Sequence, residues 1–207
     1  LAISEEQPEA VYVLDNGRDA AKLEEAIDGF GFPIVVETSE QNLGVAGSWN
    51  WFIQHVPADE WLITNDDMMF APQTIDRMRE TEGDLVFGYG FSCYLMRRSC
   101  IDKIGLFDET ISPNWGYFED QDYMERVHAH GSVKLVNAED ADLVHGDGKD
   151  GSCTYRAGTQ AEIDEHWRKY KIAQANFVKK WGAEPQVLEA NRMVQKNAQL
   201  RPDYSFR

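Results

Sequence analysis

Cysteine is scarce in this chain. There are three, Cys93, Cys100 and Cys153, an odd count with no Cys-x-x-Cys pair. That suggests neither a disulfide framework nor a zinc site. Cations are scarce too: 20 Lys and Arg stand against 36 Asp and Glu, a formal net charge of −16. A surface of that sign repels phosphate backbones and anionic lipid, so nucleic acid and basic-patch membrane docking are disfavoured as partners. No apolar run approaches the roughly 18 residues of a membrane span. No signal peptide is visible at the N-terminus, no repeat appears, and no low-complexity tract appears. The expectation is a reduced protein of the cytoplasmic type.

What is present is an alternation of periods. "VYVL" (11–14) and "IVVET" (34–38) read as strands, and "DAAKLEEAIDGFG" between them reads as a helix. "NLGVAGSWNWFIQHV" turns from a glycine-bearing loop into a helix, with Trp49, Phe52, Ile53 and Val56 at helical spacing. "WLIT" is a strand running into Asn65-Asp66-Asp67, and a helix follows from Pro72 to about Thr81. Two strands fall within 84–98, then a short helix ending at Gly105, and a helix over 117–131 that opens with acids and stops at Gly131. Short strands are expected at 132–136 and 141–146. A Gly-rich loop runs to about Gly158, and a long amphipathic helix spans about 160–181, ending at Gly182. The 207 residues fit one α/β domain, 1–182, with a helical and polar extension, 183–207. Strands alternating with helices predict an α/β sandwich with a largely parallel sheet, whose ligands bind beyond the C-terminal strand ends. Asp15 and Asn65-Asp66-Asp67 sit at such ends.

Three polar clusters carry the chemistry. They are Asn65-Asp66-Asp67, then Glu119-Asp120 with Asp122 at a helix start, and His145 followed by Gly146-Asp147-Gly148. A hard divalent cation takes oxygen ligands and keeps phosphate and water in its remaining positions; manganese also accepts imidazole. One Asp plus one His, open on the other side, suits a metal-diphosphate. Each cluster has a plainer reading. The first is a solvated turn, the second is acids complementing a helix dipole, and the third is a satisfied histidine. Asp15 is also readable as a turn former and Asp108 as the cap of the "GLFDE" bend. His55, His128, His130 and His166 read as structural. Trp115 and Tyr117 read equally as a sugar-stacking platform or as core. Arg97 and Arg98 suit either a diphosphate or surface acids.

The stretch "NLGVAGSWNWFIQHVPADEWLITNDDMMF" resembles the central block of family 2 glycosyltransferases, which have the GT-A nucleotide-sugar fold. "YLMRRSCIDKIGLFDETISPNWGYFEDQDYMERVHAHG" is similar to their acceptor-side block, "LVHGDG" to the late strand with a metal-binding His, and "NFVKKWG" to the closing helix. The resemblance covers about residues 11–182 and rests on the order and spacing of the motifs. It implies a Rossmann-like GT-A sandwich with a mixed, mostly parallel central sheet. Only 14 residues precede Asp15, so the usual first strand and helix are expected to be missing.

The resemblance also implies roles. Asp67, the last acid of the DXD-type motif, and His145 would bind Mn²⁺ or Mg²⁺. Asp15 would read the base, and Asn65 would contact ribose or sugar, with Asn42, Asp66 and Glu119 beside the nucleotide-sugar. Asp120 would be the catalytic base. The implied activity is an inverting, metal-dependent transfer from a UDP-, dTDP- or GDP-linked sugar to a hydroxyl of a glycan or glycolipid. The alternatives are a sugar nucleotidyltransferase and a degenerate scaffold acting as a binding or assembly module. An open sheet edge would allow a homo-oligomer through strand pairing.

Overall fold

A computed structural model describes residues 8–16, 32–139, 141–146 and 158–200. The helix expected within 19–31, Asp147 and Cys153 lie outside the described residues. In chain order the elements are β1 (Val11–Asp15), β2 (Ile34–Thr38), α1 (Gly44–His55), β3 (Glu60–Thr64), β4 (Met68–Phe70), α2 (Thr74–Glu80) and β5 (Leu85–Tyr89). They continue as β6 (Cys93–Arg97), α3 (Arg98–Ile104), α4 (Glu119–His130), β7 (Leu135–Asn137), β8 (Leu143–His145), α5 (Gln160–Trp181) and α6 (Pro185–Leu200).

The central sheet has the order β3-β6-β5-β7 and is mixed. β3, β5 and β7 run the same way and β6 runs against them. β1 and β2 pair in parallel, and β4 pairs antiparallel with β8. Strand alternation sends side chains to two faces. Trp61, Ile63, Leu85, Tyr94 and Met96 pack with Trp49, Ile53 and Tyr123 on one face. Val86, Cys93 and Leu95 pack with Met68 and Met78 on the other. The sheet is therefore covered on both sides, as continuous apolar runs such as "CYLM" require. A third cluster, Ile111, Phe118, Ala173 and Phe177, seats α5 against the 111–118 segment, with Leu188 of α6 alongside.

β2 and α5 begin and end where the sequence predicts. A capping box fixes the start of α5: Thr159 N–H donates to Glu162 Oε2 at 2.7 Å, and Glu162 N–H donates back to Thr159 Oγ1. Other boundaries move, among them the following. α2 begins at Thr74, beyond Pro72. α4 begins at Glu119 because Tyr117 and Phe118 have φ of 148° and 65°, outside the helical region. β7 starts three residues later than expected. No described helix is long and apolar enough to cross a membrane.

Candidate functional site

The C-terminal edge of the sheet is built around Cys93, the register partner of both Thr64 and Tyr89. Just past β3, Asn65 N–H donates to Ser92 O at 2.8 Å, tying the acidic turn to the β5–β6 connection. The chain then reverses at exposed Asp66 and half-buried Asp67 and enters β4. Met68 pairs with His145 across β4–β8, and Gly146 N–H donates to Asp67 O at 2.8 Å. This pairing brings His145 Nε2 to 3.1 Å from Asp67 Oδ1. The Tyr89 ring lies 5.5 Å from the His145 ring and is 48% exposed. The sequence reading did not single out Tyr89, although its place at the end of "DLVFGY" puts it at the same edge.

Asp15 ends β1 beside Thr38 and is buried. Its neighbour Asn16, part of the Asp15-Asn16-Gly17 turn signal but not a candidate site residue, organises the adjoining turn. Asn16 Oδ1 accepts from Leu43 N–H at 2.7 Å, and its amide donates to Asn42 Oδ1 and Ser48 Oγ, both at 3.1 Å. Asn42 Oδ1 also accepts from Gly44 N–H at 2.7 Å. The next amide, Val45 N–H, donates to Trp115 O at 2.7 Å. The Leu43, Gly44 and Val45 N–H groups at the start of α1 are thus all bonded from inside the protein. Gly44 has φ +72°, and the place a Cβ would occupy is filled by Trp115 N and O, so only glycine fits there.

That contact fixes the segment leading to Glu119 and Asp120. Asn114, Tyr117 and Phe118 all have left-handed φ, a concentration of strain typical of functional segments. Tyr117 N–H donates to Glu119 Oε2. Glu119 is buried, and its pKa rises to about 7, first through burial and then through the charge of Asp120, with Tyr117 N–H opposing. Burial also raises Asp120, partly offset by Gln121 N–H, 2.8 Å from its Oδ1. Asp120 faces a cleft of about 260 Å³ whose wall includes Phe91 from the β5–β6 turn, Gln121 from α4 and Arg192 from α6. The β5–β6 turn joins the two halves: Tyr89 stands by His145, and Phe91 lines the cleft of Asp120.

Other candidates lie elsewhere. Because β6 is antiparallel, Arg97 pairs with Glu60 at the opposite end of the sheet. Its guanidinium donates to Thr81 O, Gly83 O and Arg79 O. Arg98 stacks on Trp61 and donates to Ala58 O. A diphosphate at Asp67 is therefore not held by either arginine. Trp115 lies under Lys169 Nζ, 3.6 Å from the ring centroid. The Tyr117 hydroxyl is 3.0 Å from His166 Nε2, so His166 braces the segment before Glu119. Asp108 does cap its bend: its Oδ1 accepts from Thr110 N–H at 3.0 Å and Thr110 Oγ1 at 2.6 Å.

The Asp67–His145 pair has the spacing of two ligands on one metal ion. Two cis ligands of an octahedral ion with bonds of ~2.1 Å stand about 3 Å apart, and the observed separation is 3.1 Å. Among the described residues no group of three or more His, Cys, Asp and Glu is assembled to hold an ion. A two-ligand site fits an ion whose other positions go to phosphate and water.

No protein-family model matches the chain, and no curated protein does. Among solved structures it is similar to one described as the inositol-1-phosphate CTP transferase from T. maritima. That similarity has 14% sequence identity and a TM-score of 0.46, and covers 79% of this chain and 77% of the other.

Proposed function

We propose that this chain handles a nucleotide-linked sugar and, within that class, is an inverting, metal-dependent glycosyltransferase of the GT-A kind. The observation that carries the reading is the juxtaposition of Asp67 with His145 at 3.1 Å, on one side of the β5–β6 turn, with Asp120, beside buried Glu119, opening onto a cleft on the other. Asp67 and His145 are the residues that would hold Mn²⁺ or Mg²⁺. The ion would supply positive charge against the diphosphate as it leaves. Asp15, Asn42, Asn65 and Asp66 are assigned to the donor side, for a UDP-, dTDP- or GDP-linked sugar.

The protein's own part is proton transfer and positioning. An acceptor hydroxyl in the cleft gives its proton to Asp120, whose raised pKa makes it a stronger base than an exposed carboxylate. The acceptor oxygen bonds to the sugar carbon as the bond from that carbon to the diphosphate oxygen breaks. The leaving nucleoside diphosphate takes the electron pair, and the anomeric centre inverts. Glu119 positions this step, because its bond to Tyr117 N–H holds the strained segment in front of Asp120.

A second reading is nucleotidyl transfer, the activity named for the T. maritima protein. The same metal pair would then hold a nucleoside triphosphate, and a sugar phosphate would attack it. The two differ in what is released. Incubation with Mn²⁺, nucleotide-sugars and a sugar acceptor should release nucleoside diphosphate, and Asp120→Asn should lower that rate by about 10²–10⁴-fold. Pyrophosphate release from a nucleoside triphosphate and sugar phosphate, without the first reaction, would replace this reading by the second.

A further inference from the structure

The Asp120 cleft lies between α4 and α6, and its wall has a composition that selects ligands. Phe91, Met124 and Pro185 give it an apolar side. Asp120, Glu125 and Glu189 give it three carboxylates, against the single guanidinium of Arg192. That guanidinium is already engaged, since Arg192 pairs with Glu125, a residue only 8% exposed. His128 also lines the cleft, and burial followed by the Arg192 charge pushes its imidazole pKa down. The wall therefore sets three carboxyl groups against one guanidinium.

We infer that this cleft binds a single neutral or amino-bearing sugar ring and rejects anionic sugars. An apolar plate beside carboxylates matches a sugar, whose C–H face packs on a ring while its hydroxyls donate to acids. The volume of about 260 Å³ falls below the roughly 300–1,000 Å³ of pockets for drug-sized ligands, so one ring fits better than a longer chain. A uronate or sugar phosphate would add negative charge to a wall with three carboxyl groups, with its one guanidinium committed to Glu125. An amino group would be attracted. Pro185, Glu189 and Arg192 sit at helical spacing on one face of α6, so the C-terminal extension builds the selecting wall. Only the assignment of the bound sugar as acceptor rests on the glycosyl-transfer reading.

The test uses the full chain and four probes: methyl glucoside, methyl glucosaminide, glucuronate and glucose 1-phosphate. Binding is read by saturation-transfer NMR and calorimetry. The expected result is binding of the first two, with the anionic pair weaker by roughly tenfold or more. Glu189 is exposed, so Glu189→Lys is compatible with folding, and it should erase or invert that order. Glu82→Lys makes the same charge change at a side chain 91% exposed and outside the cleft, and should leave the order intact. Anionic sugars binding as well as neutral ones, no sugar binding, or identical profiles for the two variants would overturn the inference. A parallel titration with nucleoside diphosphate and Mn²⁺ separates the two claims. Sugar selection without nucleotide binding upholds the cleft and removes glycosyl transfer. Nucleotide binding with sugar binding indifferent to Glu189→Lys overturns the cleft alone.

Discussion

Replacing Glu119 by Gln removes a charge from the interior but keeps an oxygen to accept from Tyr117 N–H. The carboxyl has an ordinary value of 4.5 and rises to about 7 in the folded protein. Below about pH 4.5 it is protonated whether the chain is folded or not, and it costs the fold nothing. Between about 4.5 and about 7 the unfolded chain gives up its proton and the folded chain keeps it, so stability falls as pH rises. Above about 7 the carboxyl is ionised in both states and the loss is complete. At ~1.4 kcal/mol per pH unit the interval from 4.5 to about 7 amounts to about 3 kcal/mol. Glu119→Gln escapes that loss. Urea unfolding of the two proteins at pH 4.5, 6 and 8 should show near-equal stability at the lowest pH. At pH 8 the variant should be more stable by about 3 kcal/mol, with an intermediate gap at pH 6. A gap that does not change with pH, or a variant less stable at pH 8, would refute the burial argument and the coupling to Asp120.

Two further outcomes follow from the packing around α4. Asp122 is fully buried and accepts from Lys180 Nζ at 2.6 Å, Trp181 Nε1 at 2.8 Å and Arg126 Nε at 3.0 Å. Asp122→Ala removes the acceptor of Trp181 Nε1 and Arg126 Nε and one of the two carboxylates on Lys180, and should cost about 3–5 kcal/mol in urea unfolding, with α5 released from α4 and protected less in hydrogen exchange. Gly44→Ala forces a Cβ into Trp115 and a left-handed φ onto alanine. It should cost at least about 2 kcal/mol and lower transfer activity further than the stability loss explains, because it displaces the segment that presents Asp120.

The elements legible in the sequence are those with local signals. "IVVET" lies between Pro33 and Ser39, and α5 carries a capping box at one end and Gly182 at the other. β4 has no such signal. Three residues become a strand only because β8 arrives from far along the chain, and that same pairing makes the Asp67–His145 contact. The order of the acidic motifs could be read from the sequence; the direction of β6 could not. Its reversal carries Arg97 and Arg98 to the far end of the sheet. The cleft was equally hidden, since it depends on Arg192 of α6 reaching Glu125 of α4. Asp120 stood out in the sequence as a candidate base, whereas the charge of its surroundings was not legible there.

The central claim is that Asp67 and His145 hold a metal-bound nucleoside diphosphate. It is tested most directly by calorimetric titration of UDP, GDP and dTDP with Mn²⁺, then with EDTA, on the native chain and on Asp67→Ala. The account predicts that one nucleotide binds only with the metal present and that Asp67→Ala abolishes the binding while remaining folded. No binding of any nucleotide to the folded native protein, or binding that survives both EDTA and the substitution, would contradict it.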